Sequence, residues 1–338
     1  MKNKLSTTFS QGFQSGTFIR VGENRDLSLF VGKDEKGNYA FDFRGTYVPV
    51  RISQSDVITV QQGKSGENYI LRFSLCNSEL LEYFSTFCQD LLDSTEAIKD
   101  DEDAYKTLCS RYFSWKKLFR PNNGGMNDNE VMGLIGELLF MQDYMIPHYG
   151  VDMALDSWMG PEKTHKDYST ESVWYEIKAI SAGKDSVKIS SLEQLDGDDE
   201  GYLAIYCLEK MSPTFSGIKL NVLVQNLMAK MGTAQNRETF MSKLSMYEFD
   251  FSPEYDKFVF TNVGFSMYNV SNDFPRLCRK NIPNAINRIQ YEIFLSELEE
   301  YNFKSVTLWR LKNIERNLLI SLDLMPITKE QNRKLSLF

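Results

Sequence analysis

The chain has 338 residues, 42% hydrophobic and 25% charged, a balance that excludes extended disorder and is long enough for two domains. Its formal net charge of -8 and pI near 5.1 argue against broad nonspecific nucleic-acid binding, which rests on many phosphate-neutralising cations, but leave room for a local basic cleft. With only His148 and His165 present, histidine triads and multi-histidine metal sites are all but excluded, so any metal must be held mainly by oxygen, which favours magnesium, manganese or calcium.

The opening MKNKLSTTFSQGF lacks the apolar middle of a signal peptide, and no apolar run approaches the ~20 residues of a membrane span. Five scattered cysteines (Cys76, Cys88, Cys109, Cys207, Cys278) form no CxxC pair, which fits a reducing compartment; the expected location is the cytoplasm. Residues 14 to 75 read as β structure, with runs such as TFIRVG, LSLFVG, YAFDF and YILRFSL broken by the turn signals GKDEKGN and QQGKSGEN. From 78 the pattern turns helical, through ELLEYFSTFCQDLLDS and AYKTLCSRYFSWKKLF, with Asp100–Asp103 as a solvated helix start. The Pro/Gly/Asn-rich RPNNGGMNDN is the best boundary in the chain.

A strong helix, EVMGLIGELLFMQDYM, follows, with Asn127 or Asp128 as N-cap. A loop through DSWMGPEKTHKD leads to the strand SVWYEIKAI and a further strand, SVKIS, beyond Gly183. Ser190 with Glu193 three residues later has the capping-box pattern of a short helix, and the strand YLAIYCL comes next. Helices are expected at 220–231, 236–247 and 284–301, strands at 258–262 and 265–270, and a last amphipathic helix after Asn302. From Asn302 onward seven Lys/Arg face three acids, a basic tail on an acidic body. The resulting organisation is a β-rich domain at 1–77, a helical connector at 78–126, an α/β core with its elaboration at 127–301, and a basic tail at 302–338.

Chemistry concentrates in HKDYSTESVWYEIK, residues 165–178. Side chains alternate along a strand, so Trp174, Glu176, Lys178 and Ile180 share one face. A carboxylate and an ammonium between two large apolar neighbours need a partner or a metal. Asp167 lies nine residues before Glu176, beyond STES, where a bend returns it beside the strand. On the preceding helix Glu137 falls on the apolar stripe of Leu134, Leu138 and Met141, and Gly133 and Gly136 would let that helix approach a sheet closely. Glu137, Asp167 and Glu176 would hold a magnesium-type ion with waters left in place. Such an ion acidifies bound water and stabilises charge building on phosphorus, with Lys178 orienting or deprotonating the attacking water or neutralising the oxyanion.

These residues resemble the PD-(D/E)XK nucleases: Asp167 matches the motif's Asp, Glu176-Ile177-Lys178 its E-x-K, and Glu137 the acid on the preceding helix. GLIGELLF, W-x-GP, H-x-DY, YEIKA and ISSLEQL together, with SMYNVSNDFPRL later, are similar to the bacterial family of PD-(D/E)XK motif proteins, over about residues 10–300 and most specifically from Gly133 to Leu195. Lys166 stands where the motif has proline, a position that shapes the approach to the aspartate and binds no metal. The resemblance implies a restriction-endonuclease-like core of mixed β-sheet flanked by helices, and cleavage of DNA with Mg2+, for which Mn2+ substitutes. Asp167, Glu176 and Lys178 would be catalytic, with Glu137, Asp167 and Glu176 on the metal and Gln194, Ser190 and His165 in support. It also implies a restriction or antiphage setting with ATPase, helicase or methyltransferase partners and a homodimer. The rival expectation is a catalytically silent scaffold or DNA-recognition subunit of the same fold.

Overall fold

The computed structural model of the chain describes residues 4–119, 125–162 and 165–303; the basic tail, Lys163 and most of RPNNGG lie outside them. A short helix α1 (Lys4–Ser10) precedes β1 (Phe18–Arg20), β2 (Ser28–Lys33), β3 (Tyr39–Gly45), β4 (Ile58–Ser65) and β5 (Asn68–Leu75). These strands form one antiparallel sheet in the order β1-β2-β3-β5-β4. QQGKS, expected as part of a turn, continues β4 instead, and the reversal to β5 falls at Gly66 (φ 64°), where only a glycine turns without strain. One face of the sheet carries Leu29, Val31, Phe41, Phe43, Leu71 and Phe73, all buried. It packs on α2 (Leu81–Thr95) and α3 (Asp101–Lys116), with Phe73 against Phe87 edge-on and against Tyr112 stacked. Asp100 caps α3 through the N–H groups of Glu102 and Asp103. The acids behind it do more than face water: Asp101 accepts from Thr46 N–H and Glu102 from Val48 N–H, each at 2.8 Å.

The helix α4 (Asp128–Phe140) starts at Asn127, whose side chain takes the N–H groups of Asn129 and Glu130 while Glu130 reaches back, a reciprocal cap. It runs through a π-helical turn (Met141–Met145) into α5 (Ile146–Asp156), which breaks at Gly150. Then come β6 (Tyr168–Ser169), β7 (Val173–Ser181), β8 (Ser186–Ile189), β9 (Glu200–Met211), α6 (Leu220–Lys230), α7 (Ala234–Met246), β10 (Val259–Asn269) and β11 (Tyr291–Phe294). The second sheet has the order β10-β9-β7-β6 and is mixed: β7 and β9 are parallel and the other pairs antiparallel. A parallel pair needs a long crossover. Here it spans 182–199 and includes β8, which pairs with β11 as a separate two-stranded sheet.

α4 lies across β7. Gly136 permits this, since a Cβ there would come 3.0 Å from the Cβ of Ala179; Gly133, expected to share the role, faces open space. One buried cluster runs from Leu5 to Met267 and joins the first sheet, its helices, α4 and the near face of β7 (Tyr175, Ile177). A second cluster covers the far face, with Trp174, Leu203 and Ile205 against Val187, Ile189 and Ile293. The two strands expected near 258–270 are one strand, β10, with an irregularity between Asn262 and Gly264. Ser190 starts no α-helix: Leu192–Gln194 make a single 3-10 turn. The expected helix at 284–301 is absent too. Tyr291–Phe294 are drawn into a strand because β8 offers an unpaired edge, and Leu295–Tyr301 follow as 3-10 helix. Among the described residues no helix is long and apolar enough to cross a membrane.

Candidate active site

The β6–β7 hairpin returns Asp167 to the side of β7, as the bend expected after it requires. Asp167 Oδ2 accepts the N–H of Ile177 at 2.7 Å, and its backbone carbonyl takes the N–H groups of Met159 and Gly160. The aspartate is thus fixed beside the peptide that links Glu176 to Lys178. Glu176 is buried at 1% exposure on the far face of β7, and Lys178 Nζ lies 2.7 Å from its Oε1. Burial first, and Asp167 next, push the Glu176 carboxyl up to about 8, against the pull of Lys178 and Lys166. Asp167 is raised as well, chiefly by burial, while Lys178 and the Ile177 N–H draw it down.

Glu137 reaches the same group of carboxylates from α4. Burial and the charge of Asp167 raise its carboxyl well above the usual range, with Glu176 adding to the effect. Two partners hold it: Trp158 Nε1–H donates to Oε2 at 2.8 Å, and the Tyr247 hydroxyl lies 2.6 Å from both oxygens. Tyr168 O–H donates to the Glu137 backbone carbonyl. Gly160 of the W-x-GP run is bare because a Cβ there would collide with this carboxyl and with the Tyr247 hydroxyl. Trp158 stood in a quoted motif and was a readable signal; Tyr247, on the far side of α7, gave none.

Burial and the neighbouring Asp167 favour the protonated form of Glu137, so Gln is close to an isostere there. Glu137→Gln is therefore expected to change metal-free stability by less than ~1 kcal/mol, while weakening divalent-cation binding at least about tenfold if Glu137 serves the ion. Denaturant midpoints and manganese calorimetry on the same preparation check both halves.

The supporting residues fall in two places. Gln194 Oε1 accepts the Ser190 N–H at 2.7 Å, which closes the 3-10 turn, and the Gln194 carbonyl accepts from Lys166 Nζ at 2.8 Å. Lys166 also lies over the Trp174 ring, 3.4 Å from its centroid. Burial lowers its ammonium to about 8, with Glu176 resisting. The proline's replacement is thus a second cation packed against the Glu176 face. His165 is exposed on the wall of an adjoining cavity.

Among the described residues no three His, Cys, Asp or Glu side chains form a ready metal cage. The donor chemistry nonetheless suits a hard divalent ion: Asp167 stands beside the buried Glu176 and raises its cost of ionising, a conflict that a cation relieves.

A family described as "Putative PD-(D/E)XK family member, (DUF4420)" matches residues 4–296. The chain belongs to this family. The mixed α/β architecture, with α4 across the second sheet, is consistent with the PD-(D/E)XK-like fold that this description names. Neither a curated protein nor a solved structure matches the chain.

Proposed function

We propose that this PD-(D/E)XK family member is a divalent-metal-dependent nuclease that hydrolyses DNA phosphodiester bonds. The observation that carries the reading is the ion pair of Lys178 with the buried Glu176 on β7, with Asp167 hydrogen-bonded to the peptide between them. A bound Mg2+ or Mn2+ would supply an acidified water and charge neutralisation at the phosphate. Asp167 and Glu176 would hold it, with Glu137 serving directly or through water. Lys178, 2.7 Å from Glu176, orients the attacking water and sets positive charge beside the oxyanion that develops on phosphorus. Lys166, fixed by the Gln194 carbonyl and the Trp174 ring, adds a second cation at the same face. The setting we infer is a cytoplasmic bacterial restriction or antiphage system, with an ATPase, helicase or methyltransferase as partner and a homodimer as the cutting form.

The test uses supercoiled plasmid and linear phage DNA with magnesium, manganese or EDTA, beside calorimetry with manganese in two buffers of different ionisation enthalpy. Cleavage should need the ion. Because Glu176 titrates near 8, metal binding at pH 7 should release about one proton. The release should fade above pH 9, where the carboxylate is already ionised, and shrink in Glu176→Gln. Manganese binding without cleavage of DNA by any preparation would favour a recognition subunit, a reading helped by Glu137 being already engaged by Trp158 and Tyr247.

A further inference from the structure

A cavity of about 1070 Å³ adjoins the carboxylates at Lys166, the residue before Asp167. Its walls carry opposite charges. Arg276, Arg279 and Lys280 come from the segment after β10, and Asp198 and Asp199 stand exposed on the turn before β9. The two walls are tied together: Asp196 accepts the Arg279 N–H at 3.1 Å, and the Arg276 guanidinium donates to the Leu195 carbonyl.

A path for phosphates alone would not be lined with carboxylates, which repel them. Carboxylates instead accept hydrogen bonds from the exocyclic amines of nucleobases, while Lys and Arg meet phosphate oxygens. The volume is ample for one nucleotide.

We propose that this cavity takes a single unpaired nucleotide of the substrate strand beside the bond to be cut. The phosphate lies toward Arg276 and Lys280, and the base amine toward Asp198 and Asp199. The proposal rests on the nuclease reading for its polymer, but its test needs no cleavage.

The full-length protein is titrated by calorimetry with the four deoxynucleoside monophosphates and with inorganic phosphate. The adenine, cytosine and guanine nucleotides should bind at least about tenfold more tightly than the thymine nucleotide, which has no exocyclic amine. Replacing Asp198 and Asp199 together by serine should erase that preference. A single-stranded oligonucleotide should displace the bound nucleotide. No binding, or four nucleotides binding no better than phosphate, overturns the proposal. Nucleotide binding that an oligonucleotide leaves untouched overturns it as well, and marks a site for free nucleotides. A protein that cuts DNA yet fails these titrations keeps the nuclease reading and loses the pocket; one that passes them and never cuts does the reverse.

Discussion

Lys178→Met is expected to lower the rate of metal-dependent DNA cleavage by about a thousandfold or more while leaving the fold intact. The ammonium lies 2.7 Å from Glu176 on a strand face otherwise made of Trp174 and Ile180, so its charge acts in surroundings that water screens weakly. Charge placed where negative charge develops contributes about 3 kcal/mol or more in such sites, which sets the size of the loss. Methionine keeps the length and apolar stem, so packing against the second cluster survives. Lys178 also restrains the rise of the Glu176 carboxyl. Its loss should therefore move the fading of proton release on manganese binding to higher pH, a readout that a purely structural lysine would not move. Single-turnover cleavage within about tenfold of wild type would remove Lys178 from the chemistry.

Asp90→Ala is expected to destabilise the protein by about 3–5 kcal/mol, the cost of leaving buried charge without its partner. Asp90 on α2 is a junction. One oxygen accepts from Arg111 Nε and from Trp115 Nε1, both on α3, at 2.8 Å, and the other from Arg237 Nε on α7 at 2.6 Å. The aspartate is 2% exposed and the two arginines 4% and 11%. Alanine would strand two guanidinium groups among Phe87, Trp115 and their neighbours. Asp90→Asn, which keeps shape and both acceptor directions in part, should fall between. Denaturant unfolding reads the difference, and a loss under ~1 kcal/mol would show that water or other acceptors serve the arginines equally well.

The two predictions differ in how far the sequence announced them. Asp167, Glu176 and Lys178 lie within twelve residues, and strand alternation alone places the last two on a shared face. Glu137 was legible because helical period put a carboxylate on an apolar stripe. Its keepers were not: Tyr247 is 110 residues away, and only tertiary packing brings it in. The Asp90 junction joins residues 21 and 147 apart and leaves no local pattern. Where local signals misled, a neighbour overrode them. AINRIQYEIFLSELEE has helical period, but β8 captures Tyr291–Phe294. Ser190 and Glu193 match a capping box, yet Gln194 takes the Ser190 N–H and gives its own carbonyl to Lys166, which ends the turn. Backbone propensities of a few tenths of a kcal/mol per residue lose to such contacts.

The clasp of Tyr247 on Glu137 has a consequence for a chain leaving the ribosome. Synthesis at about 5–20 residues per second delivers the first sheet, α2 and α3 well before Tyr247. Through that interval α4 carries a carboxyl with no hydroxyl to receive it, and β9 has no β10 to pair with. The surroundings of Glu137 are therefore completed only when α7 and the residue behind it have been made. A nascent fragment broken off before α7 would present the Asp167–Glu176–Lys178 run with Glu137 lacking its Tyr247 partner and β9 lacking β10.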